Sequence, residues 1–306
     1  MSATETELVK YFAAKGGLSA ARFPIGIGDD MAQVKLPKGA SVLITTDMLL
    51  DGTHFDTKKA SPEQIGYKAM ATSLSDCAAM ATVPLAAVVA VALPRNFGER
   101  KLKRLHKGIL EAAKKYDCPL IGGDMTSWSK PLAINVAMLS SVGATKPVKR
   151  STAKIGDVIC VTGSLGGAIL KRHLEFVPRI KEALVIAEAG ANAMIDISDG
   201  LSTDLNHICR LSKKGAIVEA ARIPVSRDAK KSAEPLKAAL NDGEDFELLF
   251  TISQKGFEYL KKHWRFKVKL TAIGKITKGS SVKIKMSGDR IADLPPCGYD
   301  HLRKTK

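Results

Sequence analysis

Ser41-Val42-Leu43-Ile44-Thr45-Thr46-Asp47 and, shortly after it, Ser61-Pro62-Glu63-Gln64 set the architecture of the first half of the chain. The first reads as a short β-branched strand over 41–46 that delivers Asp47 at its end. The second is a capping box with proline at the first helical position, and it opens a helix reaching to about Ala81. Two long apolar strands follow, over 85–93 and 132–142. Between them lies a basic stretch whose Leu102, Leu105, Ile109 and Leu110 recur at helical spacing. Strand, helix, strand and strand in this order predict an α+β domain in which helices cover one face of a sheet.

At 306 residues the chain exceeds the usual size of a single domain, and two domains of about 150 residues are expected. The segment 143–156 (GATKPVKRSTAKIG), rich in turn formers and charge, is the linker candidate, which divides the chain into 1–142 and 150–306. In the second part, 157–162 reads as a strand running into Gly163-Ser164-Leu165-Gly166-Gly167 and then a helix. A helix after Asp199 and strands at 216–219 and 247–252 follow, with no internal repeat.

Hydrophobic residues at 45% and charged residues at 25% give the balance of a globular protein. No apolar run approaches the roughly 18 residues of a membrane span, and the opening MSATETELVKYFAAKGG lacks the basic-then-apolar order of a signal peptide. The expectation is a cytoplasmic protein with no membrane partner. Five scattered cysteines without a C-x-x-C pair fit neither a disulfide framework nor a zinc ribbon. A net charge of +16 and the run Arg100-Lys101-Lys103-Arg104-Lys107 raise a competing reading, a basic nucleic-acid-binding or regulatory protein. That run is interleaved with Leu102 and Leu105, so a solvated helix face is the simpler account and no specific nucleic acid is expected.

Against this basic background, eight aspartates sit at the joints of the chain: Asp29, Asp30, Asp47, Asp51, Asp76, Asp124, Asp196 and Asp199. Carboxylates gathered out of water repel one another at a cost of several kcal/mol, so a fold that collects them needs divalent counter-charge. Mg²⁺, with its oxygen ligands and phosphate-bridging waters, is the expected ion. Gly26-Ile27-Gly28-Asp29-Asp30, taken alone, serves equally as an ordinary turn. Ser73 and Asp76 share a helix face, and Ile121-Gly122-Gly123-Asp124 reads as a buried strand breaking into a loop whose amides can approach a phosphate. Ile195-Asp196-Ile197-Ser198-Asp199-Gly200-Leu201 places two carboxylates before a helix, one more than an N-cap explains. No P-loop, dinucleotide fingerprint or protein-kinase motif set is present, so ATP would be held by metal bridges and glycine-rich backbone.

Taken in order, GIGDD (26–30), TTDMLLDGTHF (45–55), SLSDCAAM (73–80), IGGD (121–124), KRSTAKIGD (149–157), DISDGLSTDLNHI (196–208), DGEDFELLF (242–250) and GYDHL (298–302) resemble the thiamine-monophosphate kinase family. The resemblance implies the two-domain aminoimidazole ribonucleotide synthetase-like fold, α/β (α+β) in class, with an N-terminal mixed sheet carrying helices on one face and a C-terminal α+β domain. It implies transfer of the ATP γ-phosphoryl group to thiamine monophosphate, giving thiamine diphosphate, with several Mg²⁺ ions. By the family's pattern Asp30, Thr45, Thr46, Asp47, Asp76, Asp124, Asp196 and Asp199 match metal ligands, and Asp47, Asp124 and Asp199 carry the catalysis. Tyr116, Gly122, Gly123, Arg150 and Ser198 fall where the family handles ATP, and His54, Glu244 and Tyr299 where it holds thiamine monophosphate. A homodimer joined through the N-terminal sheets is implied as well, with ATP near the junction of domains and subunits.

Other ATP-dependent enzymes of the superfamily are the alternative, which the D-G-x-H-F and G-Y-D-H pieces disfavour. Two departures from the pattern stand out. Ser73 replaces the usual asparagine, which is expected to loosen a contact to Asp76, and 163–179 is short before the H-L-x-P-x-P-R stretch, seen here as HLEFVPR (173–179).

Overall fold

A computed structural model describes residues 5–24 and 33–299. The chain forms two compact units, one of residues up to 77 with 83–142, the other of 78–82 with the chain from 143 onward. Helices and strands of the first half are α1 (Glu5–Gly16), β1 (Val42–Leu50), α2 (Pro62–Ala79), β2 (Thr82–Pro94), α3 (Glu99–Lys115), β3 (Leu120–Trp128) and β4 (Ala133–Val142). They build a four-stranded sheet in the order β1-β4-β2-β3, in which β1 and β4 are antiparallel and β2 and β3 parallel. The sheet is therefore mixed.

The capping box at α2 forms as read: the Gln64 amide donates to Ser61 Oγ at 3.2 Å, and the Ser61 amide to Gln64 Oε1 at 3.0 Å. Strand alternation then gives the sheet two unlike faces. Leu49 of β1 and Ile134, Val136 and Met138 of β4 are buried, and α2 packs on this side with Cys77 Sγ 3.5 Å from Met138 Sδ. The opposite side leaves Val42, Ile44, Met48 and Leu50 exposed, Ile44 at 74% and Met48 at 61%. On α3, Leu102, Leu105, Ile109, Ala112 and Ala113 are buried, while Arg104 reaches Glu63 at 2.8 Å and Lys103 reaches Glu99 at 2.6 Å. The basic run is thus spread over the solvent side of a packed helix.

Unit two comprises β5 (Val158–Thr162), α4 (Ile180–Glu188), β6 (Ala191–Asp196), α5 (Leu201–Ser212), β7 (Gly215–Glu219), α6 (Pro235–Asn241), β8 (Leu248–Ile252), α7 (Gln254–His263), β9 (Leu270–Thr277), β10 (Val282–Lys285) and β11 (Ile291–Asp293). Its seven-stranded sheet runs β11-β10-β7-β9-β5-β8-β6. Every residue of β5 and β8 is buried, as suits central strands covered on both faces. The core joins Ile159, Val161 and Leu249 to Leu201, Leu205 and Ile208 of α5, so the helix after Asp199 is seated by its apolar stripe.

Several elements differ from the sequence expectations. Asp47 does not end its strand: β4 pairs with β1 through Leu50, which keeps Asp47 mid-strand opposite Val136. Nor does the chain break at Gly122-Gly123-Asp124, because β3 continues through them in register with Val88, Val89 and Ala90. Gly123 permits this, since a Cβ there would lie 2.0 Å from the Val89 carbonyl oxygen. The helix expected after Gly167 is two single 3₁₀ turns, Ala168–Leu170 and Arg172–Leu174, before α4 opens past Pro178. Helix α1 was not anticipated. Among the described residues no helix is long and apolar enough to cross a membrane, and the five cysteines are free thiols.

Helices α2 and α3 touch through glycines. A Cβ on Gly66 would stand 2.1 Å from the Leu105 carbonyl oxygen, and one on Gly108 would stand 1.9 Å from that of Glu63. Gly66→Ala or Gly108→Ala is therefore expected to destabilise the protein by about 1–3 kcal/mol through forced separation of the helices. A urea denaturation midpoint unchanged in both variants would show that the helices separate without cost.

Candidate functional site

In the first unit, the alternation of β1 sorts its polar residues. Thr45 and Asp47 face α2, where Thr45 Oγ1 donates to Asp76 and Ser73 Oγ donates to Asp47 Oδ2 at 2.5 Å. Two carboxylates are thereby held at the strand–helix contact by neutral hydroxyls, which keep them acceptors for a cation. Ser73 is engaged with Asp47, and the hydroxyl on Asp76 comes from Thr45. Thr46 points to the opposite face, where its Oγ1 accepts from Asn135 Nδ2 at 2.9 Å; the same amide donates to the Asp47 carbonyl at 3.0 Å. The Thr46 hydroxyl is therefore not in the Asp47–Asp76 group. Asp124 stands on β3, at the other edge of the sheet from β1. Three strand spacings, about 14 Å, separate the two edges, so Asp47 and Asp124 of one chain do not meet across the sheet.

The turn after β1 carries His54. The Leu50 amide donates to His54 Nδ1 at 3.0 Å, which places the ring proton on Nε2 and makes that nitrogen a donor. Lys68, fully buried on α2, donates through Nζ to the His54 carbonyl and pins the turn. Asp51 is spent on the turn itself, accepting from the Thr57 amide at 3.0 Å and hydroxyl at 2.6 Å. Tyr116 caps the C-terminus of α3 with Lys115 Nζ 5.7 Å from its ring centre. Asp30 lies outside the described residues.

The second unit brings its predicted residues together on one turn. Asp196, 4% exposed, ends β6; Ser198 and Asp199 follow, and Gly200, at φ 106°, leads into α5. Onto this turn two distant segments dock by backbone. The Glu244 amide donates to the Ser198 carbonyl at 2.7 Å, and the Tyr299 amide to the Asp199 carbonyl at 2.9 Å. Glycine makes both approaches possible: a Cβ on Gly243 would lie 2.4 Å from the Ser198 oxygen, and one on Gly298 would lie 1.9 Å from the Asp199 oxygen. Glu244 and Phe246 have φ of 68° and 50°, a left-handed backbone costing about 1–3 kcal/mol at each non-glycine residue. Ser198 and Asp199 therefore sit beside Glu244 and Tyr299, though some 45 to 100 positions divide them in sequence.

Asp204 and His207, one turn apart on α5, were not singled out from the sequence. Their ligand atoms and one of Asp199 lie within 4.8 Å of one another. Asp204 Oδ2 also accepts from the Asp199 amide at 3.2 Å. Burial first, then Asp199 and Asp196, drive the Asp204 carboxyl well above the usual range, against the pull of Arg150. Burial and Arg210 lower the His207 ring, with Asp199 opposing. Arg150 thus acts on this group electrostatically, and its carbonyl accepts from Ser212 Oγ at 3.2 Å. An aspartate in the first turn of a helix reads as ordinary dipole complementarity, which is why Asp204 gave no signal. A cavity opens here, lined among others by Asp199, His207, Arg210 and Tyr299.

Comparison with known proteins gives the family of the chain. Residues 28–142 match the family described as AIR synthase related protein, N-terminal domain, and 154–287 its C-terminal domain. These matches define the class: a two-domain protein of the AIR synthase-related fold. Thiamine-monophosphate kinase of Rhodopirellula baltica is 35% identical over 291 residues, covering 90% of this chain and 91% of that one. The crystal structure of thiamine-monophosphate kinase from Stenotrophomonas maltophilia superposes with a TM-score of 0.80 at 31% identity, over 93% of this chain and 97% of that chain. A second structure, AaThiL complexed with AMPPCP and TMP, has a TM-score of 0.72 at 28% identity over 94% and 96%. The chain belongs to the thiamine-monophosphate kinase family.

The seat of Tyr299 rests on Gly298, whose amide also donates to Thr203 Oγ1 at 3.0 Å. Gly298→Ala is expected to lift this segment off the turn and to lower the exchange protection of the Tyr299 amide about tenfold or more, as for one lost hydrogen bond. Hydrogen exchange read by NMR checks it, and unchanged protection would show that the segment shifts without losing its bond.

Proposed function

We propose that the protein transfers the γ-phosphoryl group of ATP to the phosphate of thiamine monophosphate, giving thiamine diphosphate and ADP. The observation that carries this reading is the docking of Glu244 and Tyr299 on the Ser198–Asp199 turn. It joins a carboxylate and an aromatic face, suited to a flat cationic heterocycle, to the carboxylates suited to phosphate-bound metal. Relatives named thiamine-monophosphate kinase, and a neighbour complexed with AMPPCP and TMP, support the choice of substrates.

The donor set fits Mg²⁺: carboxylates and hydroxyls are hard oxygen ligands, with Asp47 and Asp76 held by the Ser73 and Thr45 hydroxyls and Asp199 beside Asp204. Asp30, Asp47, Asp76, Asp124, Asp196 and Asp199 are assigned as ligands of several separate Mg²⁺ ions, with Thr45 contributing an oxygen, while the Thr46 hydroxyl, turned to the other face, is left out of the set. Bound Mg²⁺ would supply charge neutralisation between two polyanionic substrates. Arg150 and Ser198, with Tyr116 and the Gly122-Gly123 backbone, handle the nucleotide. His54 donates from Nε2 to thiamine monophosphate, Glu244 accepts from it, and Tyr299 stacks on its ring. No general base is needed, because the attacking phosphate oxygen is already ionised. The N-terminal unit is assigned nucleotide and metal binding and dimerisation, the C-terminal unit the rest of the nucleotide and substrate residues, and the protein is assigned to the cytoplasm.

Thiamine diphosphate formation should require Mg²⁺, stop with a chelator, and fall about 10² or more in rate in Asp47→Asn or Asp124→Asn, since each removes a formal charge from the phosphate chemistry. Product quantified by chromatography checks this; purified protein that binds ATP but makes no thiamine diphosphate would sink the proposal.

The exposed Ile44, Met48 and Leu50 face supports a homodimer, as an open apolar sheet face that a second copy would cover. Ile44→Lys with Met48→Lys is expected to give a monomer by light scattering. A wild-type protein already monomeric would remove the dimer.

A further inference from the structure

The loop that carries Glu244 is held, residue by residue, by a segment whose role is unassigned. Arg172 Nη2 donates to Asp245 Oδ1 at 2.6 Å and its Nη1 to the Ser164 carbonyl at 2.9 Å. His173 Nδ1 lies 3.2 Å from Glu244 Oε2. Phe176 stacks on Phe246 with centroids 4.0 Å apart and planes 13° from parallel. Arg179 forks onto Glu247 through Nε at 2.8 Å and Nη2 at 2.6 Å. Four consecutive residues, 244 to 247, are thus gripped by 172–179, and two of them have the left-handed backbone noted above. Such a backbone persists only where its surroundings over-determine it.

We propose that segment 172–179 is the template that shapes the substrate-recognition loop, and that His173 is a positioning residue that aims the Glu244 carboxylate at an amino-bearing heteroaromatic substrate. The identity of that substrate rests on the reading of the preceding subsection. A carboxylate only accepts, so the His173 ring presents Nδ1–H to it. The His173 side chain is 9% exposed and that of Glu244 20%, so the histidine stands behind the carboxylate while the carboxylate retains access to solvent. Neighbouring contacts anchor the frame on which this pair is built. Asp245 also accepts from the Gly166 amide at 2.7 Å, and Glu247 from Thr162 Oγ1 at 2.7 Å. The short stretch 163–171, with Gly163 closed over the Glu247 carboxylate, links strand β5 directly to the template.

The test compares His173→Phe, which keeps a flat ring and removes the donor, with His173→Asn, whose amide nitrogen falls near Nδ1. The Phe variant is expected to raise KM for thiamine monophosphate about tenfold while KM for ATP stays within about twofold, the scale of one charge-assisted hydrogen bond. The Asn variant should recover most of that loss. Combined with Glu244→Gln, His173→Phe should add nothing further, since both act through one carboxylate. If the Phe variant does not fold, as judged by its melting transition, His173→Leu, which also lacks a donor, replaces it with the same expectation.

Unchanged KM, equal loss for both substrates, or additive effects with Glu244→Gln would overturn the positioning role. Wild-type protein that binds thiamine monophosphate in calorimetry without turning it over would overturn the kinase reading alone, and the same variants compared by affinity would decide the role of His173. Wild-type protein that neither binds nor converts it would overturn both.

Discussion

Two backbone carbonyls, those of Ser198 and Asp199, hold the candidate site of the second unit together. Each accepts one amide, from Glu244 and from Tyr299, and each contact forms only because the preceding residue is glycine. One such bond is worth about 0.5–1.5 kcal/mol net, little on the scale of the fold. Its consequence is positional: the carboxylate-bearing turn and the two side chains assigned to the substrate cannot move independently. The apolar stripe of α5 then fixes the turn itself, because Leu201, Leu205 and Ile208 are buried in the core of the seven-stranded sheet.

The first unit solves a different problem, holding carboxylates at a strand–helix contact while leaving them receptive to a cation. Ser73 and Thr45 satisfy Asp47 and Asp76 with hydroxyl donors. A lysine ammonium in the same places would compensate the charge permanently and compete with a metal ion. The positive charge of the chain is displayed elsewhere, as on the outer side of α3, where Arg104 and Lys103 are tied to Glu63 and Glu99. Placement, more than net charge, separates a basic surface from an acidic site.

Regular elements were legible because their signals are local. The Ser61–Gln64 capping box, the strands at 85–93 and 132–142 and the helix after Asp199 all appear near their expected bounds. Errors arose where tertiary pairing overrode local composition. Gly122-Gly123 looks like a strand break, yet β2 continues beside it and holds the backbone in register. Two 3₁₀ turns take the place of a helix over 168–174, and from the second of them Arg172 and His173 reach the 244–247 loop. Left-handed Glu244 and Phe246 have no mark in the sequence, since neither is a glycine or an asparagine. Glu244 and Tyr299 were found by motif alone; no periodicity would bring residues so far apart to one turn. Asp204 and His207 were passed over because α5 already accounted for them as helix residues.

The central claim, that this site moves a phosphoryl group between two phosphates, is tested most directly by following the group. Protein incubated with γ-³²P-labelled ATP, thiamine monophosphate and Mg²⁺ should place the label in the terminal phosphate of thiamine diphosphate, in step with ADP formation. Label recovered only as inorganic phosphate, with thiamine monophosphate unchanged, would contradict the account.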